Sequence, residues 1–164
     1  VLILIESTRI RKMKIISGGQ TGVDRGALDA ALESGTDCGG TCPAGRKAED
    51  GIIPNKYPLT ELDSTVYSDR TRLNVIDSDA TLIIHFGQLA GGTAFTRQCC
   101  VEEQKPYLAI DASEAQRDEL VHHIRNFIEQ NRIQVLNVAG PRASKVPAAQ
   151  EMTRTLLKGV LQYR

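Results

Sequence analysis

Two glycine-rich segments carry the residue types that could do chemistry here. Gly18-Gly19-Gln20-Thr21-Gly22 follows the short apolar run Met13-Lys14-Ile15-Ile16 and precedes a helical pattern. Gly91-Gly92-Thr93, with Thr96 one helical turn beyond Thr93, follows the run Thr81-Leu82-Ile83-Ile84-His85-Phe86 in the same way. Where a strand gives way to a helix, backbone N–H groups and the positive end of the helix dipole converge, which is a setting for an anion. Glycines leave out the Cβ that would keep a phosphate from the backbone. The same glycines could serve only to let a helix pack closely on a strand. The first segment is neither Gly-x-Gly-x-x-Gly nor a Walker A loop, whose lysine is missing, so a dinucleotide site or an NTPase is disfavoured. In an open α/β sheet both loops lie at the carboxyl edge, so they are expected to clamp one small phosphate-bearing ligand from two sides. Gly140, in Gly140-Pro141-Arg142, forms either a third wall or a plain turn.

Charged side chains follow the glycines. Asp24 and Arg25 fall in the first turn of the first helix, where the aspartate is either a capping charge or a ligand contact. Arg46, Arg70 and Arg72 are candidates for bidentate phosphate contacts, and Asn74 lies two residues past Arg72. His85, inside an apolar strand, reads as a hydrogen-bonded histidine of the core or rim, and His122 and His123 as solvated. No Ser-His-Asp order with a nucleophile elbow is present. Cys38 and Cys42 are four apart, Cys99 and Cys100 are adjacent, and no histidine lies near either pair, so no structural metal is expected.

The elements that must position these residues alternate strand and helix, which is the pattern of an α/β fold with a mainly parallel sheet. A helix is predicted from about Val23 to Ser34, closed by Gly35. A second is predicted from about Ala94 to Gln104, stopped by Pro106, and the strand Tyr107-Leu108-Ala109-Ile110 follows. Ser113 and Gln116 have capping-box spacing ahead of a helix carrying Leu120, Val121, Ile124, Phe127 and Ile128. Gln134 to Val138 reads as a strand, and a final helix starts near Pro147 with Met152, Leu156, Val160 and Tyr163 inward. Residues 36 to 66 break the rhythm, with short strand candidates only near Asp37 to Thr41 and Leu59 to Leu62. An ordered loop near the site is expected there. Tyr67 to Asp77 then reads as a short helix capped by Ser68.

The chain has 164 residues, the size of one domain, and residues 13–164 are assigned to it. Twenty basic and twenty acidic side chains balance, removing the general attraction that nucleic acid or an anionic membrane would need. An anionic ligand must therefore be held by local geometry. The four cysteines read as reduced thiols of a cytoplasmic protein. The run Val1-Leu2-Ile3-Leu4-Ile5 is too short to span a bilayer, and residues 1–12 are either an extra edge strand or a leader.

Taken in order, Ser17 to Arg25, Cys42 to Gly51, Arg70 to Val75 with Asp77 to Ile83, and Gly91-Gly92-Thr93 with Thr96 resemble the putative molybdenum carrier family. That family is a circularly permuted branch of the SLOG superfamily of Rossmann-like proteins. The resemblance implies a three-layer α/β/α sandwich, a homo-oligomer and a ligand between the two glycine segments. It also implies a carrier role for molybdenum cofactor, with molybdoenzymes as recipients, rather than catalysis. Two other readings stay open, a nucleotide-sensing module and an enzyme cleaving the N-glycosidic bond of a nucleotide. Related phosphoribohydrolases carry Pro-Gly-Gly-x-Gly-Thr-x-x-Glu; laid onto Gly91-Gly92, that motif meets Ala94, Phe95 and Gln98 at its third glycine, threonine and glutamate. A glutamine cannot serve as the carboxylate in proton transfer, which leaves Asp24 or Asp50 as the candidate carboxylates.

Overall fold

The computed structural model describes residues 12–113 and 115–162. The expectations for Val1 to Ile5 and for Tyr163 lie outside the described residues. Nine strands and five helices are present among them: β1 Lys14–Ile16, α1 Val23–Glu33, β2 Asp37–Gly39, β3 Thr41–Cys42, β4 Lys47–Ala48, β5 Gly51–Ile52, β6 Thr60–Glu61, α2 Tyr67–Ile76, β7 Ala80–His85, α3 Gly91–Glu102, β8 Tyr107–Asp111, α4 Arg117–Gln130, β9 Val135–Ala139 and α5 Ala149–Leu161.

Five strands form one sheet in the order β2-β1-β9-β7-β8, every pairing parallel. Successive side chains of a strand point to opposite faces. In β7, Leu82 and Ile84 join Leu136, Val138 and Ile15 in a core covered by α1, α4 and α5. Thr81 turns to the other face, where it accepts a hydrogen bond from Asn137 Nδ2 at 3.2 Å, and a smaller cluster of Val75, Cys99 and Cys100 packs between α2 and α3. This is a three-layer α/β/α sandwich of Rossmann type. All four cysteines are free. No described helix is long and apolar enough to cross a membrane.

The strand order shows where the chain has been re-cut. β9 comes last in sequence yet lies at the centre of the sheet. If β9 and α5 are counted ahead of β1, the order becomes 3-2-1-4-5, that of the doubly wound dinucleotide-binding folds. The topological switch point of such a sheet, where ligands bind beyond the carboxyl ends, then falls between β9 and β7.

Residues 40–66 are ordered by a small core of their own, formed by Leu28, Cys42, Ala48, Ile53 and Tyr57. β3 pairs with β6, and β4 pairs with β5 in a hairpin that the sequence pattern does not reveal, each strand being only two residues long.

Three helix starts and one cap differ from expectation. α3 begins at Gly91 rather than Ala94: Ala90 is extended (φ −148°, ψ 164°), and Gly91 turns the chain into the helix through a left-handed φ of 55°. The glycine pair is thus the first turn of the helix and not the loop before it. α2 begins at Tyr67, and Ser64 rather than Ser68 organises the entry, accepting from Val66 N at 3.1 Å and donating to Asp69 Oδ2 at 2.6 Å. The expected capping box does not form: α4 begins at Arg117, and Ser113 Oγ donates instead to Asp111 Oδ1 at 2.5 Å. α5 begins at Ala149, and Met152 is outward at 41% exposure, while Leu156, Leu157 and Val160 are buried.

Candidate functional site

β1 delivers the chain into residues 17–22 at the sheet's carboxyl edge. Ser17 Oγ donates to Val138 O at 2.7 Å, bolting this edge of β1 to β9. Gly18 lies under the guanidinium of Arg70, which reaches across from α2; a Cβ there would come within 1.6 Å of Arg70 Nη1. Gly22 takes φ 82°, and its own Cβ would meet Pro141 O at 2.3 Å. These contacts explain why the segment must be glycine-rich whatever it binds.

Arg70 Nη1 donates to Asp24 Oδ2 at 2.8 Å, the two side chains being 13% and 4% exposed. Burial pushes the Asp24 carboxyl above the ordinary carboxylate range, opposed by the Arg70 guanidinium and by the Gln20 N–H. Gln20 N also donates to Asp24 Oδ2, Thr21 N to Gln20 Oε1, and Val23 N to Pro141 O. The loop into α1 and the helix's first N–H are therefore met by acceptors of the chain itself. The β4–β5 hairpin tip adds a side-chain contact: the Glu49 carboxylate accepts from Thr21 Oγ1, Ser144 N and Ser144 Oγ, with Arg142 Nη1 3.8 Å away. The hydroxyl and amide donors hold the Glu49 pKa down against the opposing effect of burial.

The start of α3 is different. Ala90 supplies no side-chain cap, and nothing lies within 4 Å of the space a Cβ would take at Gly91 or Gly92. Its first-turn residues Gly91, Gly92 and Thr93, whose N–H groups have no partner within any helix, line a cleft of about 710 Å³ at the β9–β7 switch point.

The cleft gathers Gly18, Gln20, Asp24, Arg70, Asn74, Gly91, Gly92, Thr93, Thr96 and Gly140 of the residues anticipated from sequence. The others are engaged outside it. Gly19 packs on Leu59 and Ile53; Thr21 serves Glu49 and Ala143 N. Arg25 makes a bidentate pair with Asp50 at 2.6 and 2.8 Å and donates to Gly19 O, which removes Arg25 as a ligand contact and Asp50 as a free carboxylate. Arg46 donates to the carbonyls of Ile53, Pro54, Tyr57 and Leu59, holding the 40–66 segment together. Arg72 pairs with Glu102 and Glu103 over the Phe95 ring. Asn74 reaches the rim but spends its amide on both backbone groups of Thr41.

Sequence reasoning missed Tyr67, Phe95 and Lys145, which line the cleft, and passed over His85 as a core or rim residue. Tyr67 carries a legible signal, an aromatic at the start of a helix entering the site, and Lys47 and Arg142 stand over its ring at 4.9 and 5.3 Å. Gln20 Nε2 and Arg70 Nε, both on cleft-lining residues, are buried donors with no partner among the described residues. No group of three or more His, Cys, Asp or Glu among the described residues is placed to hold a metal ion.

No curated protein matches this chain. Among solved structures, the crystal structure of a "Putative molybdenum carrier protein" from Syntrophus aciditrophicus SB aligns at 46% identity with a TM-score of 0.89, over 91% of this chain and 94% of that one. The profile of the circularly permutated YpsA SLOG family matches residues 15–161, the span that contains the re-cut sheet and every cleft-lining residue. The chain belongs to the circularly permuted YpsA SLOG family.

Proposed function

We propose that the cleft binds a small phosphate-bearing ligand, with molybdenum cofactor the foremost ligand, and that the protein is a carrier rather than a catalyst. The observation that carries this reading is the uncapped first turn of α3, whose glycine N–H groups open on the switch-point cleft together with Arg142 and Lys145. Those groups are donors and cations, suited to an oxyanion and not to a bare metal ion. Tyr67, Phe86 and Phe95 on the same walls suit a flat ring system. The name of the Syntrophus structure supports the cofactor assignment. Gly91, Gly92, Thr93, Arg142 and Lys145 would hold the cofactor's phosphate, while the cofactor itself brings the sulfur ligands for molybdenum. A homo-oligomer in the cytoplasm that hands cofactor to molybdoenzymes is part of the same reading.

A second reading, hydrolysis of a nucleotide, is favoured by one observation: the Asp24 carboxylate lines the cleft. Gln98, which occupies the hydrolase glutamate position, is on the exposed face of α3 and donates to Glu102 at 2.7 Å.

Calorimetric titration with nucleoside 5′-monophosphates and with isolated molybdenum cofactor tests both readings. In Gly92→Asp a carboxylate enters open space at a helix start, where it stabilises the fold by about 0.3–1 kcal/mol while repelling a bound phosphate. Loss of binding with an unchanged or higher melting temperature supports the site; equal binding by Gly92→Asp rejects it. Release of free base that Asp24→Asn abolishes would favour the hydrolase.

A further inference from the structure

His85 closes β7 and lines the cleft. Its Nδ1 lies 2.6 Å from Gly87 O, and because a carbonyl can only accept, Nδ1 carries the proton. That contact is braced: Gly87 N donates to Asp111 Oδ1 at 3.1 Å, and Ala112 N donates to His85 O at 2.8 Å. Asp111 is held down to about 2 by Ser113 Oγ, Ser113 N and Gly87 N, so it is an anion at neutral pH. In the neutral imidazole this contact places the proton on Nδ1 and leaves Nε2 as the acceptor. Nε2 has no hydrogen-bond partner among the described residues and is not sealed from solvent. The donors that line the cleft with it include the first turn of α3, Lys145 and Arg142, the last of these 3.8 Å from Glu49. Two acceptors of cleft-lining residues are committed within the protein: Asp24 Oδ2 to Gln20 N and Arg70, and Gln20 Oε1 to Thr21 N and Glu49 N.

We propose that His85 is a specificity-determining residue whose Nε2 accepts a hydrogen bond from a donor that the ligand carries beside its phosphate, either a sugar hydroxyl or a ring N–H. The inference rests on the phosphate-binding reading of the cleft and adds the polarity of the neighbouring group. His85 and the first turn of α3 flank one short connection, residues 86–90, so a phosphate at Gly91–Thr93 brings its adjoining atoms toward the imidazole. A ligand with only acceptors next to its phosphate would leave Nε2 desolvated and unpaired.

The test compares guanosine 5′-monophosphate with its 2′,3′-dideoxy analogue by calorimetry, on the wild-type protein, His85→Phe and His85→Gln. His85→Phe keeps a flat ring without the acceptor, and His85→Gln places an acceptor near the position of Nε2. The expected result is about a fivefold loss of affinity for guanosine 5′-monophosphate in His85→Phe, in keeping with one neutral hydrogen bond, most of it restored in His85→Gln. If the dideoxy analogue is indifferent to His85→Phe, the donor is a sugar hydroxyl; if it suffers equally, the donor is a ring N–H. Unchanged affinity in His85→Phe, or His85→Gln as weak as His85→Phe, overturns the proposal while leaving the phosphate reading intact. Failure of the wild-type protein to bind either nucleotide overturns this proposal, while the phosphate reading then stands or falls on the titration with isolated molybdenum cofactor. Imidazole ¹⁵N shifts give a readout that needs no ligand: a protonated Nδ1 and a bare Nε2 are expected, and the opposite tautomer overturns the assignment.

Discussion

Replacing Arg70 with methionine separates what the buried Arg70–Asp24 pair does for the fold from what the arginine does for a ligand. In the wild-type protein the two side chains meet at 2.8 Å, and Asp24 keeps one further donor, Gln20 N at 3.2 Å. Arg70→Met fills much of the same volume but leaves a carboxylate that is 4% exposed without its counter-ion. Breaking a buried pair from one side costs about 3–5 kcal/mol. We take about 3 kcal/mol, since Gln20 N remains and methionine packs, which corresponds to a fall of roughly 6–12 °C in melting temperature for a chain of this size. The sign of the pH dependence follows from Asp24. Its folded pKa already lies above its ordinary 3.8 and rises further once Arg70 is gone. A carboxyl with a raised folded pKa favours the folded state while protonated, so stability is lost as pH climbs from that ordinary value through the raised one. The deficit of Arg70→Met is therefore largest at neutral pH and shrinks on acidification. Adding Asp24→Asn removes the orphan charge, and the double variant should recover about 1.5 kcal/mol or more, with a flatter pH profile. Urea unfolding of wild type, Arg70→Met, Asp24→Asn and the double variant at pH 7 and pH 5 measures all of this. Arg70→Met as stable as wild type at pH 7, or a double variant no more stable than the single, would refute the argument that the pair is buried and coupled.

Two further outcomes follow from other contacts. Glu49→Gln removes the charge that gathers Thr21, Ser144 and Arg142, so exchange of the Ser144 amide hydrogen should accelerate about tenfold, in line with losing a charged hydrogen bond; unchanged protection would mean that the hairpin tip does not hold the 140–146 loop. Glu33 clasps Arg154 and Lys158 across the α1–α5 contact and is held down to about 2, first by its hydrogen bond to Arg154. Its folded pKa being lowered, its stabilisation is full above its ordinary 4.5 and is lost as pH falls toward 2, so Glu33→Gln should flatten the acid limb of a melting-temperature profile. An acid limb parallel to wild type would remove Glu33 from that account.

What the sequence made legible was periodic and local. β-branched runs ending in glycine, each followed by a helical pattern, located β1, α1, β7 and β9 and the two glycine segments on one sheet edge. What stayed hidden depends on partners far along the chain. Arginine type alone marked four candidates, yet Arg25, Arg46 and Arg72 are used up by Asp50, by four carbonyls and by Glu102 with Glu103. Only Arg70 reaches the cleft, and it does so tied to Asp24. Nothing in the pattern of residues 43–52 announces that two adjacent acids at a hairpin tip will insert at the start of α1. For the same reason the two glycine segments, alike on paper, are unlike in space: one is filled by the protein's own acceptors, and the other is open.

The re-cut order of the sheet explains why that distinction could arise. Because β9 is made last but sits between β1 and β7, the cleft is assembled from four separate stretches: residues 18–24, residues 67–74, residues 85–96 and residues 137–146. The bonds that join them, Ser17 Oγ to Val138 O and Ala143 N to Thr21 Oγ1, span separations of 121 and 122 residues. Contacts of that range form only when loop closure over most of the chain has been met by burial of the sheet. An anion site at the start of α1 would stand empty until the C-terminal strand arrived. Glu49, from a hairpin that follows α1 closely, takes the Thr21 hydroxyl within the first third of the chain, while the Val23 N–H waits for Pro141 O. The open first turn of α3 then remains as the end of the cleft that a ligand, rather than the protein, must complete.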